Sequence, residues 1–179
     1  MSIKTPFGAF DAIGTLATAA TGTIAIQELG DNQNHTTVID IASLNLITTT
    51  NASLGCGKLL YTFPAGDIVI TQATIALGIV GTAALNIADT PDVGLGTVIA
   101  SGAVALLNGT GTFEDILTGQ TWSAACNSVV QQGTAASVFG ILTAAAHTVY
   151  LNIADAWAGV DAGMLATGKI VIEWKHMSS

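Results

Sequence analysis

Arginine is missing from this chain, and its four lysines, Lys4, Lys58, Lys169 and Lys175, stand against twelve carboxylates for a net charge of −8. Holding a nucleic-acid backbone takes several Lys or Arg contacts that release counterions, and base reading leans on bidentate Arg. No nucleic-acid partner is expected. Charge of either sign is scarce at 9% of residues, where soluble domains carry about 25%. The weakly hydrated surface must lie in a membrane, be hidden against copies or a partner, or consist of Thr, Ser, Asn and Gly. Ile68 to Ala88 and Val93 to Phe113 are free of charge and long enough to span a bilayer. The first, however, holds Thr71, Gln72, Thr74, Gly78, Gly81, Thr82 and Asn86, and both are flanked by Asp or Glu instead of the anchoring Lys and Arg. No spanning helix, and no membrane partner, is expected.

No secretory leader is expected either, since Lys4 is followed by Pro6, Gly8 and Asp11 where an apolar stretch should run. Folding in a cytoplasm is the expectation. Cys56 and Cys126 then read as partly buried thiols, although spacing leaves their pairing open. Without a leader, Asn34-His35-Thr36, Asn51-Ala52-Ser53 and Asn108-Gly109-Thr110 are chance matches to the glycosylation pattern.

Catalytic signatures are lacking too. There is no Gly-x-Ser-x-Gly elbow, and His35, His147 and His176 form no metal-protease spacing. "GCGKLL" at Gly55 to Leu60 fails as a phosphate loop, because Leu59 stands where Ser or Thr should hold magnesium and Ala52 where the first Gly belongs. Lys58 could lower the Cys56 thiol pKa, yet no base is placed beside it. Glu114 and Asp115 would diverge on a helix, which makes them a poor acid-base pair. The expectation is a protein that is not an enzyme and takes no cofactor.

What is present is strand periodicity. His147, Val149, Leu151 and Ile153 share one face against Thr148, Tyr150 and Asn152, and Ile170, Ile172, Trp174 and Ile75, Leu77, Ile79 repeat the alternation. Abundant Thr, Val and Ile suit a pleated surface, and twenty glycines punctuate the runs. An all-β antiparallel sandwich follows, in one domain. "GTFEDILTG" predicts one short helix near 112–118, with Thr112 as N-cap, acids in the first turn and Gly119 as the stop. Residues 1–30 read as an extended arm leading into a first strand, and residues 31–179 as the sandwich. Gly30 to Thr37, "GDNQNHTT", reads as a loop with His35 solvated in it. His147 reads as a packed strand residue.

"LNIAD" occurs twice. Laying Leu85 to Asp89 on Leu151 to Asp155 also brings Ala100 onto Ala166, Ser101 onto Thr167, Gly102 onto Gly168 and Val104 onto Ile170. This predicts a repeated strand-loop-strand block over 85–107 and 151–173, with a bulge or sharp entry at the matched Gly. Asp89 with Asp92, and Asp155 with Asp161, place two carboxylates in each loop, as a calcium site would need. They lack the dense Asp-x-Asp-x-Asp-Gly spacing, so the repeat reads as building blocks, with Asp closing strands into turns. No metal is assigned.

The stretch from Ala65 to Trp122, carried by "TPDVGLGT" and "FEDILTGQT", resembles virion structural proteins of tailed bacteriophages, most of all small capsid decoration or cement proteins. It is also similar to jelly-roll β-sandwich subunits of such virions. The resemblance implies a jelly-roll-like fold, a homotrimer at local threefold positions on the capsid exterior, and the major capsid protein as partner. Ile3, Phe7 and Phe10 of the arm are the expected capsid contact. A different class also fits a low-charge sandwich: a glycan-binding or host-adhesion module, marked by an exposed aromatic among Trp122, Tyr150 and above all Trp157. A capsid or tail building subunit would share the fold and differ in copy number.

Overall fold

The computed structural model describes residues 9–10, 15–16, 23–31, 33–46, 55–81, 91–101, 104, 106–109, 111–121, 127–134, 140–142, 147–154 and 164–177. The described residues build two antiparallel sheets and no helix. The strands are β1 Ala9–Phe10, β2 Thr15–Leu16, β3 Thr23–Gly30, β4 Asn34–Asn45, β5 Gly55–Thr62, β6 Ile68–Gly81, β7 Asp92–Gly96, β8 Leu117–Thr121, β9 Asn127–Thr134, β10 Gly140–Leu142, β11 Thr148–Ala154 and β12 Met164–His176. The larger sheet has seven strands in the order β1-β3-β4-β12-β6-β10, with β9 also on β6, and the smaller has five in the order β2-β5-β11-β7-β8.

Alternation decides what goes inside. In the larger sheet, cross-strand rows such as Ile26–Ile39–Ile170–Ile75 and Ile24–Ile41–Gly168–Leu77 run across β3, β4, β12 and β6. Their large apolar members join Val93, Leu95, Val149, Leu151 and Ile153 of the smaller sheet in one continuous core. Burying each Ile or Leu contributes about 1.5–3 kcal/mol, so these rows hold the two layers together. The alternations expected at Val149 to Ile153, Ile170 to Trp174 and Ile75 to Ile79 all place those residues in the core. Gly168 sits at a shift of the β12–β4 register with φ 146°, as the expected bulge requires.

Three local expectations are corrected. Residues 112–118 form a turn, bends and the start of β8, not a helix. The two acids meant for a first helical turn are used elsewhere: Asp115 accepts from the Thr97 amide (2.8 Å) and hydroxyl (2.6 Å), and Glu114 from the Gly119 amide (2.7 Å). The expected loop over Gly30 to Thr37 shrinks to a tight turn, because Asp31 accepts from the amides of Gln33 (2.8 Å) and Asn34 (2.7 Å) and β4 then begins at Asn34. His35 is therefore a buried strand residue. Finally, the two copies of the repeat part company. Ala166, Thr167 and Ile170 lie on β12, whereas Ala100, Ser101 and Val104 lie outside any strand; Leu85 to Asp89 falls outside the described residues.

The first long uncharged stretch opens with the strand Ile68–Gly81, and the second begins inside the strand Asp92–Gly96. Among the described residues no helix is long and apolar enough to cross a membrane.

Candidate functional site

Two polar constructions interrupt the apolar pattern. The first lies inside the sandwich. Alternation from Ile24 and Ile26 carries Glu28 to the inner face of β3, opposite Thr37 of β4, and Ile172 of β12 completes that row. A carboxylate there must be hydrogen-bonded to be tolerated. Thr37 donates its hydroxyl to Glu28 Oε1 at 3.4 Å, Tyr61 of β5 donates its phenol to the same oxygen, and Trp174 Nε1 donates to Thr37 Oγ1 at 2.8 Å. The Tyr61 bond crosses from one sheet to the other, so the chain of bonds locks the two layers in register. His35 stacks on Trp174 with ring centroids 4.2 Å apart, and Phe63 meets Trp174 edge-on at 5.1 Å. His176 follows Trp174 on the same strand, and its Nε2 lies 3.3 Å from the Ala65 carbonyl.

Exposure decides what this cluster can do. Glu28, Thr37, Tyr61 and Trp174 are each at most 1% exposed. A general acid or base must come within hydrogen-bond reach of a reacting group, and no substrate atom reaches this carboxylate from solvent. The cluster is a lock between sheets.

The second construction lies on the outer face of the smaller sheet. Asn152 sits between Gly57 of β5 and Gly94 of β7 in one cross-strand row. Its Oδ1 accepts from the Ala100 amide at 2.9 Å, and its Nδ2 donates to the carbonyls of Val98 (2.9 Å) and Phe113 (2.6 Å). Side chains are omitted where the loop descends: a Cβ on Gly57 would run into Asn152 and Ile99, and one on Gly96 into the backbone of Thr112 and Phe113. The described residues of 97–113 thus lie over this sheet as a third layer, fastened by the Asn152 amide. Asp92 adds a stitch, accepting from the Thr121 hydroxyl (2.5 Å) and the Leu107 amide (3.2 Å).

The residues singled out from the sequence are not assembled by these constructions. Asp92 is buried, with its two oxygens bonded to protein groups; Asp89, Asp155 and Asp161 lie outside the described residues. Among the described residues no group of three or more His, Cys, Asp or Glu is placed to hold a metal ion. Ile3, Phe7, Trp122 and Trp157 also lie outside them. Phe10 is on β1, in register with Glu28, and β2 pairs Leu16 with Tyr61, so the arm touches the edge strand of each sheet in turn. Tyr150 is half-buried on β11. Cys56 is buried in the core on β5, and Cys126 lies outside the described residues. His147 precedes β11, half-buried, with its carbonyl accepting from the Phe63 amide.

Glu28, Thr37 and Asn152 escaped the sequence reading as functional positions. A signal existed for Glu28, since the period of Ile24 and Ile26 points it inward. For Asn152 alternation gives only the outer face, and nothing local reveals that a loop covers it. No protein-family model, curated protein or solved structure matches the chain.

Proposed function

We propose that this chain is a non-enzymatic virion structural protein that decorates and stabilises a bacteriophage capsid, with a jelly-roll sandwich as its body. The observation that carries the reading is the strand order. With β1, β2, β3 and β10 set aside, β4-β12-β6-β9 faces β5-β11-β7-β8, and the chain passes between the sheets at β4 to β5, β5 to β6, β6 to β7, β8 to β9, β10 to β11 and β11 to β12. That order supports reading the sandwich as the double Greek-key path of a jelly roll, an architecture common in viral capsid and lectin domains. Fold alone does not fix function. The low charge, the absence of arginine and the resemblance of the central stretch to decoration proteins favour the capsid role over the lectin role.

In this reading the protein forms a homotrimer on the capsid exterior and meets the major capsid protein through its N-terminal arm, around Ile3, Phe7 and Phe10. Its acidic balance disfavours the DNA-facing side. The test is to count copies in purified particles and then strip the protein. Hundreds of copies removable without opening the shell support decoration. Shell collapse on removal would make it a building subunit instead, and a glycan-array signal abolished by Trp157→Ala would favour the adhesion module.

A further inference from the structure

The outer face of the seven-stranded sheet has no layer over it among the described residues. Its central row runs Gln27–Val38–Val171–Thr74, and the next runs Ala25–Asp40–Lys169–Ala76. Val38, Val171, Thr74 and Ala76 are half-buried. Small and β-branched side chains at Val38, Val171, Thr74 and Ala76 stand among the long exposed ones of Gln27, Gln72, Lys169, Glu173 and Lys175, and sheets that meet face to face pack at about 10 Å.

Charge distinguishes the face from the remaining surface. It holds Asp40 and Glu173 against Lys169 and Lys175, so it sums to zero, and the whole of the chain's net charge of −8 lies elsewhere. Asp40 and Lys169 already pair across β4 and β12 while staying about half exposed. Contacts through the acidic parts of the remaining surface would press like charges against each other, whereas the loop around Val98, Ile99 and Leu106 is uncharged and offers no paired signs. Of two copies brought together here, each offers both signs to its mate. Strands β3, β4, β12, β6 and β9, spaced about 4.8 Å with roughly 3.3 Å per residue, give a footprint of roughly 500 Å² before side-chain relief. That approaches the ~800 Å² per partner of a stable interface.

We infer that this face is where one copy of the chain meets another. The inference deepens the oligomeric virion reading by naming its self-contact, and it leaves the arm as the separate contact to the shell. Sedimentation equilibrium of the full chain tests it, with far-UV circular dichroism to check folding. Wild type is expected to sediment as a multimer. Val171→Glu and Ala76→Arg should each weaken association at least tenfold with unchanged circular dichroism. Leu106→Glu, on the loop over the other sheet and 60% exposed, should leave association intact. Lys169→Glu with Lys175→Glu turns the neutral face acidic, and should dissociate the multimer at low salt and let it recover as salt screens the repulsion. A monomeric wild type at high micromolar concentration, or unchanged association in Val171→Glu and Ala76→Arg, overturns the proposal. So does loss of folding in the monomer, which would mean that the chain itself covers this face. Particle copy number is read separately: monomeric variants that still decorate particles would leave the capsid reading standing, and a multimer absent from particles would sink that reading alone.

Discussion

The two sheets of this sandwich share their inner chemistry and differ in what they turn outward. On the five-stranded sheet the outward positions include Gly55, Gly57, Asn152, Gly94 and Gly96, and a loop fills the space that the missing side chains of Gly55, Gly57 and Gly96 leave. On the seven-stranded sheet they are Val38, Val171, Thr74 and Ala76 with a balanced set of charges, and no described segment lies there. Glycine inside a strand usually weakens it. Here the loss is offset by a third layer, since Asn152 satisfies three backbone groups that the descending loop would otherwise bury unpaired. One outer surface is covered within the chain, and over the other no described segment lies.

The contrast is broken most directly at Asn152. Asn152→Leu keeps the volume but orphans the Ala100 amide and the Val98 and Phe113 carbonyls, each costing about 1–3 kcal/mol if it stays buried. The expected loss is about 3 kcal/mol, less than the sum because the loop can peel away and rehydrate. Chemical denaturation gives the total, and hydrogen exchange should show 97–101 losing protection before the strands. Gly96→Ala comes next. Its Cβ would strike the Thr112 and Phe113 backbone, and such overpacking costs about 1–3 kcal/mol. Equivalent changes on the open face, Thr74→Ser or Ala76→Ser, should stay within about 0.5 kcal/mol for the monomer. A loss above 1 kcal/mol there would show that the face is covered after all.

Much of this architecture is legible in the residues because alternation and burial act locally. Val149, Leu151 and Ile153, or Ile170, Ile172 and Trp174, declare their inner face by period alone. Glycine was the misleading signal. Read as punctuation between strands, it hides that Gly55, Gly57 and Gly96 sit within strands to admit the loop that follows β7, and that Gly94 makes room for Leu117 and Gly119 of β8. The helix expected at 112–118 fails for the same reason. Asp115 has the right spacing to cap a helix, but Thr97, brought near by the sheet, offers it two donors. The polar lock resisted prediction likewise, since Glu28 and Tyr61 meet across the core through tertiary packing.

The smallest effect tests where covered surface ends on a single strand. On β5, Cys56 and Leu60 are buried, and Lys58 between them is half-buried, opposite Leu151. Burial pushes the Lys58 ammonium below the ordinary lysine value, with a nearby contribution from Cys56 acting the other way. In the window between that lowered value and the unfolded-chain value of about 10.4, the unfolded chain binds more protons than the folded one. Stability carried by this residue must therefore rise with pH through the window. Lys58→Met keeps the stem and removes the titration. Urea unfolding from pH 8 to 10.5 should show wild type gaining on the variant by a few tenths of a kcal/mol at most, because the partly exposed ammonium stays screened by solvent. Parallel pH profiles would place Lys58 in open solvent and move the boundary of the covered surface inward to Cys56.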